Sequence, residues 1–175
     1  MFYLHKKPLK MKISYKKASQ KDIPEIIKIA EKTWFETYYP IQPKDKVDFL
    51  FEQMYSAESL QKQMLEFQAF ILQMLDNQVV GYASYSLIDE KKATFKLNKL
   101  YILPEKQGLK LGIKLLENIE KRVKKIGGKH LDLNVYRGNN ARFFYEKLGF
   151  KIIEEVDIPF GNYFFNDYVM RKNLS

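Results

Sequence analysis

Apolar residues recur along this chain at two spacings, every second residue in some stretches and every third or fourth in others. Ile13 to Lys17 alternates as a short strand. From Ile23 the apolar positions fall at helical spacing through Ile26, Ile27, Ala30, Trp34 and Tyr38, and Pro40 ends the run. Asp22 followed by Glu25 is a capping pattern, and Pro24 is tolerated in a first helical turn. A second helical stretch covers 43–66 in one or two pieces, with Val47, Leu50, Met54, Leu60 and Met64 on its apolar side. Two strands at 68–75 and 78–88 meet through Asp76-Asn77, a hairpin signal. Another strand at 93–103 is stopped by Pro104. After the loop Pro104-Glu105-Lys106-Gln107-Gly108, Gly112, Leu115, Leu116, Ile119, Val123 and Ile126 share a helix face. Glu117/Lys121 and Glu120/Lys124 form i,i+4 pairs on the wet side, and Gly127-Gly128 ends the helix. A strand at 130–136, a short helix opened by Asn139-Asn140 and closed by Gly149, and a final strand pair at 150–158 and 163–171 complete the chain. The predicted order is β-α-α-β-β-β-α-β-α-β-β, an α/β (α+β) arrangement without repeats or an interdomain linker.

Length fits one domain, since 175 residues stand against about 150 per domain. Residues 1–11 read as an N-terminal extension and 12–175 as a single domain, with Met11 a second plausible start. Hydrophobic residues at 46% and aromatics at 15% exclude a disordered chain. The absence of cysteine excludes a disulfide scaffold, a thiol nucleophile and a thiolate metal site, and it fits a reducing compartment. His5 and His130 are too few for a histidine metal site, so no metal is expected. No apolar run is long enough to cross a membrane, and the start MFYLHKKPLKMK has no apolar signal region. A cytoplasmic protein without a membrane partner is the expectation.

The net charge of +9 is unevenly placed. Residues 1–21 carry +7 and residues 91–129 carry +9, so the remainder is acidic. A mid-chain basic block suits a solvated surface, a nucleic-acid face or the mouth of an anionic small-molecule site. Lysine supplies 26 of the 30 basic residues, which disfavours bidentate arginine readout of bases.

The segment Leu97 to Ile126 is the most informative. A strand, a tight turn and a helix leave the first helical N–H groups unpaired and aimed at one point, which suits a phosphate. Gly108 and Gly112 would let a phosphate approach the backbone, although Gly112 equally suits close helix packing. Ile102-Leu103-Pro104-Glu105-Lys106-Gln107-Gly108-Leu109-Lys110-Leu111-Gly112 resembles the (Gln/Arg)-x-x-Gly-x-(Gly/Ala) signature of the GCN5-related N-acetyltransferases, the GNAT family. The strand Leu131 to Val135 follows at that family's spacing. Asn139-Asn140-Ala141-Arg142-Phe143-Phe144-Tyr145-Glu146-Lys147-Leu148-Gly149-Phe150 is similar to its Asn…Ala…Phe-Tyr-x-x-x-Gly-Phe helix. The resemblance spans about residues 12–172 and includes the order of elements.

The resemblance implies one GNAT-like domain with a mixed, mostly antiparallel sheet flanked by about four helices. It implies acetyl-CoA as cosubstrate, lying where the 97–103 strand splays from the 131–136 strand. Pantetheine would pair with backbone near Tyr101 and Ile102. The pyrophosphate would sit on the amides of Gln107, Gly108, Leu109, Lys110, Leu111 and Gly112. Asn139 or Asn140 matches the family asparagine, Tyr145 the tyrosine near the thioester sulfur, and Lys147 a basic residue that meets CoA phosphates. Three positions depart from the pattern. Lys110 replaces the first glycine of Gly-x-Gly, the spacing from the asparagine pair to Tyr145 is one residue short, and Asn98 stands where many members place a glutamate base.

Deprotonation matters because an amine with a pKa near about 10.4 is neutral in only about one molecule in 2,500 at pH 7. On the acceptor side, Trp34-Phe35-Glu36-Thr37-Tyr38-Tyr39 resembles the matching stretch of bacterial PaiA-type polyamine acetyltransferases. That resemblance assigns Glu36, Tyr38 and Tyr39 to the acceptor, with Glu36 attracting a cationic amine or passing its proton, while Tyr163-Phe164-Phe165-Asn166-Asp167-Tyr168 in the last hairpin would either close the other side through Asp167 or serve as plain sheet packing. The expected activity is direct transfer of an acetyl group from acetyl-CoA to a primary amine, whether a small amine, a polyamine or a protein N-terminus. A non-catalytic acyl-CoA sensor is the alternative, and Asn98 favours it somewhat. A nucleic-acid-binding domain lacks a recognition motif, so the partner is a small-molecule or peptide amine rather than nucleic acid. Oligomeric state is open, a homodimer included.

Overall fold

The computed structural model describes residues 11–174, so the expected extension, apart from Met11, lies outside the described residues. The elements are β1 (Ile13–Lys17), α1 (Ile23–Tyr38), α2 (Lys44–Tyr55), α3 (Ala57–Leu65), β2 (Ala69–Leu75), β3 (Gln78–Asp89), β4 (Thr94–Ile102), α4 (Leu111–Lys125), β5 (His130–Tyr136), α5 (Ala141–Lys147), β6 (Lys151–Phe160) and β7 (Tyr163–Asn173). The order is as predicted except that 43–66 forms two helices, which raises the expected four helices to five. Ser56 breaks the stretch: its backbone is extended and its hydroxyl accepts from the Ser59 amide at 3.3 Å, starting α3.

Two local expectations are corrected. Asp22 does not pair forward with Glu25; its carboxylate reaches back to the Ser19 amide at 2.8 Å, closing a 3-10 turn ahead of α1. On α4, Glu120 accepts from Lys172 of β7 at 2.7 Å in place of Lys124, because the sheet presents that lysine beside it. The Asp76-Asn77 turn is as read, with both residues in the left-handed region that a tight two-residue hairpin demands.

The seven strands form one sheet in the order β1-β2-β3-β4-β5-β7-β6. Every neighbouring pair is antiparallel except β4 and β5. Alternation along the strands divides the core between the two faces. One face carries Ile71, Ala83, Phe95, Leu97 and Leu131 against Leu115, Leu116, Ile119 and Val123 of α4. The other packs Phe70, Leu72 and Tyr82 against α1, α2 and α3 through Ile26, Trp34, Leu50 and Leu60. Ile126, expected on the apolar face of α4, is exposed because the helix ends one residue earlier.

Candidate active site

The parallel pair decides where a ligand can enter. β4 meets β5 only over Thr94–Leu97 against His130–Leu133, after which the two strands diverge. Asn98 marks the divergence. Ser84 of β3 opposes Lys99 and Tyr85 opposes Leu97, so Asn98 is an extra residue, a β-bulge. The bulge reverses the alternation of β4. Phe95 and Leu97 face α4, whereas Tyr101 and Lys99 face α1 and α2.

Beyond the bulge one edge of β4 is open. The Leu103 amide donates to Val80 of β3 at 2.9 Å, so alternation turns the backbone groups of Ile102 and Leu100 into the wedge. The backbone of Tyr101 turns the other way, toward β3, which shifts the expected pantetheine edge from Tyr101 and Ile102 to Leu100 and Ile102. The Gln107 side-chain amide donates to the Ile102 carbonyl at 3.3 Å and ties the following loop to this edge.

The turn into α4 presents a row of free donors. The Gln107 amide is used, donating to the Pro104 carbonyl at 3.1 Å, and the Lys114 amide donates to the Lys110 carbonyl at 3.2 Å. The amides from Gly108 to Ile113 between them have no hydrogen-bond partner among the described residues. The free set is therefore displaced by one residue from the expected one: it loses Gln107 and gains Ile113. Together with the positive end of the α4 dipole, it makes a concave anion site. Lys110, at the first family glycine, takes the left-handed backbone (φ +59°) that a glycine would adopt there, so the departure changes the side chain and keeps the turn. A Cβ placed on Gly112 would meet Phe144 and Ile102 at 3.6 and 3.8 Å, which is ordinary contact. Close helix packing is therefore not why glycine stands here. Two bonds hold the start of α4 in place: Gln73 donates to the Leu111 carbonyl at 3.0 Å and the Tyr15 hydroxyl to the Lys114 carbonyl at 3.0 Å.

Two cavities meet at the wedge. The first, of about 530 Å³, lies between the open edge of β4 and the N-terminal ends of α4 and α5. Gln107, Gly108, Lys110, Leu111, Gly112, Asn139 and Tyr145 line it. The second, of about 500 Å³, lies between α1, α2, β4, β5 and the β6–β7 hairpin, and Tyr38, Lys46, Lys96 and Asp167 line it. Tyr38, Leu97, Asn98, Lys99, Tyr101 and Asn134 belong to both. The amide cradle, the open strand edge and the space over Gly112 fit the phosphates and the amide-bearing arm of a coenzyme A thioester.

The expected site residues divide accordingly. Asn139, rather than Asn140, faces the first cavity, and its side chain accepts from the Ala141 amide at 2.9 Å to start α5. Asn140 and Lys147 are exposed and line neither cavity. The Leu109 side chain is 40% exposed, so only its amide belongs to the cradle. Glu36 is exposed on the outer side of α1 and touches neither cavity; the helical turn that buries Thr33 and Trp34 carries it outward. Tyr39 is likewise outside, stacked on Phe35 and donating to Asp48 at 2.6 Å. Glu36 and Tyr39 are thus corrected: neither is placed to meet an acceptor. Tyr38 and Asp167 remain. Burial pushes the Tyr38 hydroxyl up to about 12 and raises the Asp167 carboxyl, and Asn134 donates to Asp167 at 3.4 Å.

Tyr145 packs edge-on against Phe144 and Phe150, with ring centroids 5.2 and 5.6 Å away. Its hydroxyl makes no hydrogen bond to another described residue, and burial raises its pKa, so it stays protonated at neutral and mildly alkaline pH. Asn98 spends its amide on the Ser86 hydroxyl at 2.9 Å and the Lys96 carbonyl at 3.4 Å, a structural use that holds the bulge. Lys46, Lys96, Lys99 and Asn134 also line the second cavity, none of them expected from the sequence. A lysine at strand positions otherwise flanked by Leu and Phe was the available signal, and the bulge hid which face it served.

Comparisons with known proteins agree with this geometry. The sequence model of the acetyltransferase (GNAT) domain matches residues 40–170. The spermidine N(1)-acetyltransferase of Thermoplasma acidophilum is 31% identical over 168 residues, covering 93% of this chain and 98% of that protein. A [ribosomal protein bS18]-alanine N-acetyltransferase of Haemophilus influenzae is 37% identical over 83 residues, covering 47% of this chain and 53% of its own length. Among solved structures, the PaiA N-acetyltransferase of Thermoplasma acidophilum in complex with coenzyme A superposes with a TM-score of 0.79 at 29% identity, covering 93% of this chain and 99% of that one.

Proposed function

Because this chain belongs to the GNAT acetyltransferase family and is an acetyl-CoA-dependent N-acetyltransferase acting on an amine, we propose that transfer takes place where its two cavities meet, with Tyr145 on the sulfur side. The observation that carries this reading is the junction itself. A thioester held along the open edge of β4 and an amine entering from the opposite cavity come together beside the residues the cavities share, Tyr38, Lys99 and Asn134 among them.

Acetyl-CoA supplies an acetyl group already activated as a thioester. The free amides from Gly108 to Ile113 hold its phosphates, and the Leu100 and Ile102 backbone groups orient its arm. Asn139 sets the N-terminus of α5 and thereby the position of Tyr145. The Tyr145 hydroxyl donates its proton to the sulfur as the C–S bond breaks, the amine nitrogen forms the new C–N bond and releases its proton to solvent water in the open cavity, and Tyr145 takes a proton back from solvent before the next turnover. Asn98 accepts none of that proton. Asp167, which lines the second cavity beside Asn134, attracts the amine before it is deprotonated.

The domain is residues 12–175 as a single unit. The acceptor is a small-molecule or peptide amine. The relative named for spermidine supports a polyamine, and the relative named for a ribosomal protein supports a peptide N-terminus. Among the described residues no helix is long and apolar enough to cross a membrane. A cytoplasmic location, an amine partner in place of nucleic acid or membrane, and a homodimer as a possible assembly belong to the same proposal.

The absence of a cysteine acyl carrier suits direct transfer. Initial rates at varied acetyl-CoA and amine should give intersecting double-reciprocal lines, and the intact protein should show no acetyl adduct after incubation with acetyl-CoA alone. Parallel lines with an acetylated protein would overturn direct transfer.

A further inference from the structure

The lining of the acceptor-side cavity contains Lys46 from α2, Lys96 and Lys99 from β4, and one carboxylate, Asp167 from β7. None of the three ammonium groups has a carboxylate within 4 Å among the described residues. Lys99 is the extreme case. It is 7% exposed, makes no hydrogen bond to a described residue, and its Nζ sits over the rings of Tyr55 and Phe70 at 5.3 and 5.9 Å. Burial pushes it down to about 8, and Lys96 pushes in the same direction. Asp132, the other carboxylate that acts on Lys96, is already held by two bonds from Arg171 at 2.7 and 2.8 Å. Asp167 alone faces both Lys96 and Lys46, with Arg137 acting on it from outside.

An ammonium group taken out of water without a partner is costly, and the cost is recovered only when an opposite charge is brought to it. Lys99 at the junction and the partly buried Lys96 deeper in the second cavity lie on one strand face, and together they define a site for an anion. We propose that the acceptor carries a carboxylate a few bonds from its reactive amine, as an amino acid does, and that Lys99 and Lys96 bind that carboxylate. This rests on the second cavity being the acceptor site. A polyamine would bring several positive charges to a lining with three lysines and one aspartate, so the same residues select against it. The lysine charges also lower the pKa of an amine bound beside them, which helps the acceptor to reach the junction neutral.

The test measures kcat/KM for matched acceptors that differ only in the carboxylate: phenylalanine against phenylalaninamide, β-alanine against β-alaninamide, with spermidine as the polycation. In the wild type the carboxylate member of each pair should be preferred by at least about tenfold, and spermidine should be the poorest. Lys99→Met and Lys96→Met should each erase that preference, mainly through KM, and should improve spermidine. Lys99→Met should also raise Tm, since it removes an unpartnered buried charge with little change in side-chain length. The proposal is overturned if the wild type prefers the amides or spermidine, or if the lysine variants keep the wild-type order. If no acceptor at all is acetylated by the wild type while acetyl-CoA still raises its Tm, the acetyltransferase reading itself fails.

Discussion

Tyr145→Phe should lower kcat by about 10- to 1,000-fold and leave the KM for acetyl-CoA within a few-fold. The ring stays, and with it the edge-on packing on Phe144 and Phe150, so fold and cofactor affinity are preserved. What is lost is one hydroxyl that has no hydrogen-bond partner among the described residues and lines the cofactor cavity. A thiol pKa near about 8.5 makes the thiolate a fair leaving group, which places the loss at or below the usual range for a general acid. The raised pKa of Tyr145 adds a sign. The donor form persists as pH rises, so this hydroxyl imposes no loss of rate at mildly alkaline pH. Stopped assays of wild type and variant across pH check both points. A variant that turns over at the wild-type rate would return Tyr145 to the core.

Gly112→Val should abolish acetyl-CoA binding. At a concentration a hundred times its dissociation constant, a ligand adds about 2.7 kcal/mol of stability, which for a chain of this size corresponds to a Tm shift of roughly 5 to 10 °C. Valine at Gly112 puts two methyl groups over the free amides at the start of α4, where the phosphates would lie. The protein itself has room for the first added carbon, since a Cβ there makes only ordinary contacts. Gly112→Ala should therefore fold normally and weaken the shift, and Gly112→Val should also fold, since helix propensity favours valine over glycine, and show none. A full shift in the valine variant would mean that the phosphates sit elsewhere.

Periodicity made the elements legible because each strand and helix here is bounded by residues with a physical preference: Asp76-Asn77 in the hairpin, Pro104 after β4, Gly127 after α4. The cofactor side was legible for the same reason. A free helix start is a consequence of backbone geometry, and the turn that creates it is written in Gly108 and Gly112. The acceptor side was not. Glu36 and Tyr39 lie in a stretch that resembles an acceptor segment, yet the helical turn that buries Trp34 points them at solvent. Lys96 and Lys99 were invisible as a pair because three residues of regular strand would set them on opposite faces. The bulge at Asn98 brings them to one side, and it is a property of the register with β3 that no local pattern carries.

The central claim is that acetyl-CoA held along β4 gives its acetyl group to an amine arriving from the opposite cavity. Free CoA release should be followed over a panel of amino acids, their amides, peptides with free N-termini, spermidine and spermine, with mass spectrometry of each acceptor. Amine-dependent release should match N-acetylated product one for one and slow by about 10- to 1,000-fold in Tyr145→Phe. Release no faster with any amine than without one, from a protein that acetyl-CoA nevertheless stabilises, would contradict the claim.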